Sequence, residues 1–160
     1  MRTLVCTATA LLLLRIAATA QVDSKLDGRV TNEPNAATMV WSISEVRAEM
    51  AKNPTANVPC DLDALKQAAR MLAAEHDSPD FAFASYVRHL DATDEFSGYR
   101  FAISCGVASG KEGAARFVLT AVPIELGGSG VRAFCADEKG VYVDASGSAA
   151  ACLANKQLLK

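Results

Sequence analysis

The spacing of apolar residues changes near Gly98, and that change limits the fold more than any other feature of the chain. Upstream, the apolar positions recur with a helical period. Ser42 followed by Glu45 has capping-box spacing, and Ile43, Val46 and Met50 then form one stripe that Asn53-Pro54 should end. A second helix is expected to start near Asp61 or Asp63, to bury Leu65, Ala68 and Leu72, and to stop around His76, before Ser78-Pro79. Residues 81–90 fit a third short helix or a strand. Downstream of Gly98 the period is two. Tyr99, Phe101 and Ile103 alternate with Arg100, Ala102 and Ser104. Further strands are expected over 116–124, 131–136 and 141–144, the last two joined by an Asp137-Glu138-Lys139-Gly140 hairpin turn. Residues 106–113 and the Gly127-Gly128-Ser129-Gly130 stretch read as loops. A run of helices followed by a run of strands gives an α+β fold: two or three N-terminal helices packed on one face of a four-stranded antiparallel β-meander.

Residues 1–20 have the pattern of an export signal. Arg2 supplies a positive start, residues 3–14 are uncharged, and Ala18-Thr19-Ala20 offers the small-x-small site of signal peptidase. The stretch is too short for a stable span, which needs about 20 apolar residues, and Arg15 interrupts it. The expectation is a cleaved signal peptide with no membrane span after cleavage, and a retained anchor is the competing reading. Residues 21–41 are polar, with Asp, Asn, Gly and Pro, and read as a flexible lead-in. One domain is then expected over 42–160.

Cleavage would remove Arg2, Arg15 and Cys6, leaving 14 basic against 18 acidic side chains and four cysteines, Cys60, Cys105, Cys135 and Cys152. An acidic balance argues against nucleic acid as a partner. Four cysteines in an exported chain read as two disulfides with three possible connectivities. No Cys-x-x-Cys pair occurs, which disfavours zinc. Among the three, Cys135–Cys152 and Cys60–Cys105 are preferred: the tail must fold back over the last hairpin, and Cys105 ends the first long strand, where the helical half can rejoin it.

Candidate chemistry is sparse. Glu75-His76-Asp77 stands at a helix end, where consecutive residues point in different directions and do not converge on a metal. Ser85 and His89 have i, i+4 spacing, with Asp91 and Asp94 as conceivable orienting acids, but no motif supplies an oxyanion hole. The Gly-Gly-Ser-Gly stretch lacks the following helix and lysine of a phosphate loop. Phe101, Phe117 and Phe134 fit a core. These readings predict no catalytic, cofactor-binding or metal-binding residues, no cofactor and no enzymatic activity.

The last third resembles the globular head of bacterial type IV pilin and pseudopilin-like proteins. The resemblance is carried by Ser97-Gly98-Tyr99-Arg100-Phe101, by Phe117-Val118-Leu119-Thr120-Ala121-Val122-Pro123, and by Gly128-Ser129-Gly130-Val131-Arg132-Ala133-Phe134 running on through Cys135-Ala136-Asp137-Glu138-Lys139-Gly140-Val141-Tyr142. It covers 42–160 and is strongest over 97–144. Val58-Pro59-Cys60-Asp61-Leu62-Asp63-Ala64-Leu65 and Cys152 sit where such heads often carry cysteines. The prepilin Gly-Phe cleavage site and the long apolar helix behind it are missing from this sequence. The resemblance implies a pilin-head-like sheet without the helix that packs a filament core. The function expected is an exported (periplasmic or secreted) structural or binding domain, accessory to a pilus or secretion-related system, with a protein partner in the cell envelope. The alternatives are a membrane-anchored pilin-like filament subunit and a small secreted inhibitor or ligand-binding protein.

Overall fold

The computed structural model describes residues 30–53, 57–75, 82–90, 92–106 and 116–159. The expected signal peptide, the first part of the lead-in, the loop over 107–113 and His76-Asp77 lie outside the described residues.

The fold is α+β. Helix α1 covers 30–51, α2 is Leu62–Glu75, α3 is Ala82–Val87 and α4 is Ala149–Asn155. The strands are β1 (Glu95–Phe96), β2 (Tyr99–Gly106), β3 (Arg116–Pro123), β4 (Ala133–Asp137), β5 (Gly140–Asp144) and β6 (Gln157–Leu158). They form one antiparallel sheet in sequential order, a meander of six strands. The four expected strands are its centre, and the two-residue strands β1 and β6 extend it at either edge. Neither edge is legible beforehand, because two residues show no period.

The lead-in expectation is corrected over 30–41, which is helical. Asn32, Pro34 and Asn35 read locally as turn formers. However, Ala36, Met39, Val40, Ile43 and Val46 are all fully buried and follow the spacing of one helix face. Burial of that face outweighs the local preferences. Ser42 is therefore no cap: it lies buried in mid-helix, its hydroxyl unpartnered among the described residues. In α2 the cap is Asp61, whose Oδ1 accepts from the Ala64 amide at 2.7 Å, while Asp63 pairs with Lys66 at 2.9 Å. Residues 82–87 are helical rather than extended.

The N-terminal helices lie on one face, as expected, but the fold adds a further helix, α4, on the other. The faces α1, α2 and α3 present to the sheet meet Tyr99, Phe101, Phe117, Leu119, Ala121, Phe134 and Ala136 in the main core. The opposite face carries a smaller cluster, Ala133, Cys135, Tyr142 and Cys152, which α4 covers. Successive strand residues point to opposite faces. β4, with Ala133 to Ala136 all buried, is thus apolar on both sides. β2 stays solvated on one, with Tyr99 and Phe101 buried and Arg100 and Ala102 exposed. The tail helix starts at Ser148, whose Oγ accepts from the Ala151 amide, and ends at Lys156 in the left-handed region, with φ 46°.

Two disulfides hold the layers: Cys60–Cys105, with Cα atoms 5.9 Å apart, and Cys135–Cys152, at 6.1 Å. These are the preferred pairs of the sequence reading. The first ties the segment before α2 to the end of β2, and the second ties α4 to the sheet.

Candidate functional site

Between α1 and the end of the sheet that carries the β4–β5 turn runs an open groove of about 1140 Å³. Helix geometry places two α1 stripes along it. Trp41, Glu45 and Ala48 are spaced i, i+4, i+7, and Ser44, Arg47 and Ala51 are spaced i, i+3, i+7. The second stripe lies nearer the sheet, since the Arg47 guanidinium sits over the Phe117 ring, 4.4 Å from its centroid. The Cys60–Cys105 bridge and Asn57 also line it. Asp137 to Val141 and the tail residues Leu158 and Leu159 form the far wall. Trp41, Leu158 and Leu159 remain exposed there at 47%, 58% and 36%.

Arg47 is the unusual group. It is 6% exposed, its Nη1 donates to the carbonyl oxygen of Pro59, and its Nε has no acceptor among the described residues. Burial pulls the guanidinium below its ordinary value, and the charge of Glu138 offsets part of that. A carboxylate oxygen of Glu138 accepts from the Phe117 amide. Across the turn, Asp137 is held by Lys156 at 2.6 Å, by the Tyr142 hydroxyl at 2.9 Å and by the Lys139 amide at 2.8 Å. Burial alone would raise its pKa. These three donors outweigh burial and hold the carboxyl below its usual range.

The residues singled out by sequence occupy other places. The His89 ring stacks on Phe96 with centroids 6.3 Å apart and meets the Tyr86 ring edge-on at 5.9 Å. Asp94 turns instead to Lys66, at 3.0 Å, so it does not orient His89. The Lys66 ammonium is buried, which disfavours its charge, but Asp63 and Asp94 more than compensate and its pKa is raised. Asp91 lies outside the described residues. Among those described, no three His, Cys, Asp or Glu side chains gather closely enough to hold a metal ion. The Gly-Gly-Ser-Gly stretch is a packed loop. Its Ser129 Oγ donates to the Glu125 carbonyl at 3.1 Å, and a side chain at Gly130 would run into the Tyr99 hydroxyl.

No protein-family model matches the chain, and no curated protein or solved structure matches it at a significant level. The groove therefore stands on its own geometry.

Sequence reasoning did not find Trp41, Arg47 or Leu158. One signal was present: Arg47 follows Ile43 by four residues, a cation on the apolar stripe of α1. The wall that completes the groove comes from residues about 90 to 110 positions later and has no local signature.

Proposed function

We propose that the chain is an exported, non-enzymatic structural or binding domain of pilin-head type, accessory to a pilus or secretion-related system. The observation that carries this reading is the pair of disulfides, Cys60–Cys105 and Cys135–Cys152, since such bridges persist in oxidising compartments. Among the described residues no helix is long and apolar enough to cross a membrane, which is compatible with export. The pilin-head reading draws support from the placement of its three motif segments, which lie on the adjacent strands β2, β3 and β4–β5. The signal-like pattern of residues 1–20 adds the route.

The test is the intact mass of the protein recovered from its native cells, with and without thiol alkylation. The expected result is a chain beginning at Gln21, in the envelope or medium, with no alkylatable thiol. A full-length chain in the membrane fraction would favour the anchored filament subunit instead. Free thiols on a cytosolic chain would overturn export. Deletion should impair adhesion, motility or secretion.

A further inference from the structure

We propose that a small recess between α2 and α3 is an anion site that takes the phosphate group of a small soluble molecule, as the free ion or as a monoester. The inference goes beyond the reading above and does not rest on it. It is tested on purified protein, so its failure would leave export and the disulfides untouched.

The recess has a volume of about 270 Å³, just under the roughly 300–1,000 Å³ usual for small-molecule pockets. Helix geometry brings its lining residues together. Arg70, Ala73 and Ala74 of α2 are spaced i, i+3, i+4, and Ala84 and Ser85 of α3 are followed by Arg88, four residues after Ala84. The three alanines have no side-chain atom beyond Cβ, so they leave the space between the helices open. The two arginines and the serine bring hydrogen-bond donors to it.

Those donors are unused. Among the described residues, Arg70 and Arg88 are the two arginines with neither an ion pair nor a hydrogen bond of the side chain; Arg47 has the Pro59 carbonyl, Arg100 has Glu95 and Arg132 has Glu33. The half-buried Ser85 hydroxyl also has no partner among them. No carboxylate lines the recess. Of the acidic side chains on α2, Asp63 is held by Lys66 at 2.9 Å, and Glu75, at the helix end, is not part of the lining.

Two guanidiniums at one recess repel each other, and both stay charged throughout the physiological range. A phosphomonoester carries about −1.5 to −2 charge near pH 7 and three acceptor oxygens. Planar guanidiniums donate to such oxygens in pairs, and the serine hydroxyl supplies a further donor. A carboxylate, with one charge and two oxygens, would leave part of this set unused. The donor set therefore favours a phosphate group.

The full oxidised protein, isotope-labelled, is titrated in turn with inorganic phosphate, glycerol phosphate, acetate and glycerol at constant ionic strength, while its amide and arginine side-chain NMR signals are followed. Phosphate and glycerol phosphate should move the Arg70, Ser85 and Arg88 signals saturably, with a Kd on the order of 1 mM. Acetate should bind about ten-fold more weakly. Whichever phosphate compound binds more tightly identifies the form the site takes. Arg70→Gln and Arg88→Gln change exposed side chains that hold nothing else in the fold. Each should weaken binding about ten-fold, the pair should abolish it, and Ser85→Ala should weaken it about three-fold. Lys139→Gln removes another unpaired cation, on the β4–β5 turn outside the recess, and should leave binding unchanged. An equal response to phosphate and acetate, or an equal loss in Lys139→Gln and Arg70→Gln, would mean general attraction of anions and would overturn the proposal. So would static Arg70, Ser85 and Arg88 signals up to tens of millimolar phosphate, or binding only to phosphatidylcholine vesicles that contain phosphatidic acid.

Discussion

At the scale of single residues, Glu33 joins the start of α1 to a loop almost 100 positions away. Its Oε1 accepts from the amides of Val131 and Arg132 at 2.8 and 3.2 Å, and its Oε2 lies 3.0 Å from the Arg132 side chain. Asn32 and Asn35 add donors to the Ser129 carbonyl and the Ser97 hydroxyl. Glu33→Gln removes the charged acceptor and should cost about 1–2 kcal/mol. The denaturation midpoint should fall, and the Val131 and Arg132 amides should exchange faster; unchanged exchange there would contradict the assignment. On the other side of the same loop, the fully buried Tyr99 hydroxyl donates to the Arg132 carbonyl at 2.9 Å. Burial, with Glu33 adding to it, pushes that hydroxyl's pKa far up. Gly130 is glycine because a methyl group would displace this hydroxyl. Gly130→Ala should therefore cost about 1–3 kcal/mol in thermal or chemical denaturation. A neutral result would mean that Tyr99 has room to move.

Among the elements, the tail depends most on chemistry outside its own hydrogen bonds. Helix α4 has only seven residues, too few to be stable alone. Cys135–Cys152 and two aspartates hold it. Asp144 accepts from the Ser146 hydroxyl and amide and from Asn155, at 2.7 Å, which holds its carboxyl below the usual range. Asp137 holds Lys156, which follows α4. Both carboxyls have folded pKa values below their unfolded ones. Their stabilisation is therefore complete above the unfolded value of about 4 and is lost as pH falls through the lower folded values. Lys156 is shifted upward by Asp137, so its share is complete below about pH 10.4 and is lost only in stronger alkali. The melting temperature should stay flat from neutral pH to about pH 5 and drop below about pH 4, and the double variant Asp137→Asn, Asp144→Asn should flatten that drop. An unaltered acid profile would remove these carboxylates from the account. The two bridges should also differ. Cys135 and Cys152 are fully buried, whereas Cys60 is exposed in the groove. Mild reductant followed by alkylation and peptide mapping should label Cys60 and Cys105 first. By loop length, 45 against 17 residues, loss of Cys60–Cys105 should cost about 4 kcal/mol and loss of Cys135–Cys152 about 3.

For the whole molecule, the sheet is a shared wall: α1, α2 and α3 bury one face, and α4 buries part of the other. Deleting residues 145–160 would bare Ala133, Cys135 and Tyr142 and remove Leu158 and Leu159 from the groove. The truncated chain should bind a hydrophobic dye and melt lower than the Cys135→Ser, Cys152→Ser double variant, which keeps α4. Equal melting temperatures would mean that α4 contributes only through its disulfide.

The division between sequence and tertiary structure follows the range of the interactions. Periodicity is local, so α2, the four central strands and the α+β class could be read from residues a few positions apart. The order of those elements along the chain made one of the three disulfide pairings the preferred one, and the structure has that pairing. The first turns of α1 could not be read in this way. Asn32, Pro34 and Asn35 favour irregular backbone locally, and what makes that stretch helical is a buried stripe whose partners lie in β2, β3 and β4. The groove is further from local reach still. Trp41 and Arg47 on α1 acquire meaning only when the meander brings the β4–β5 turn and the last residues of the chain alongside them. The sequence alone determined α2, the later part of α1 and the four central strands, through side-chain periodicity and turn chemistry. The tertiary structure decided which charge is buried and which surfaces face each other, because both depend on contacts between residues distant in the chain.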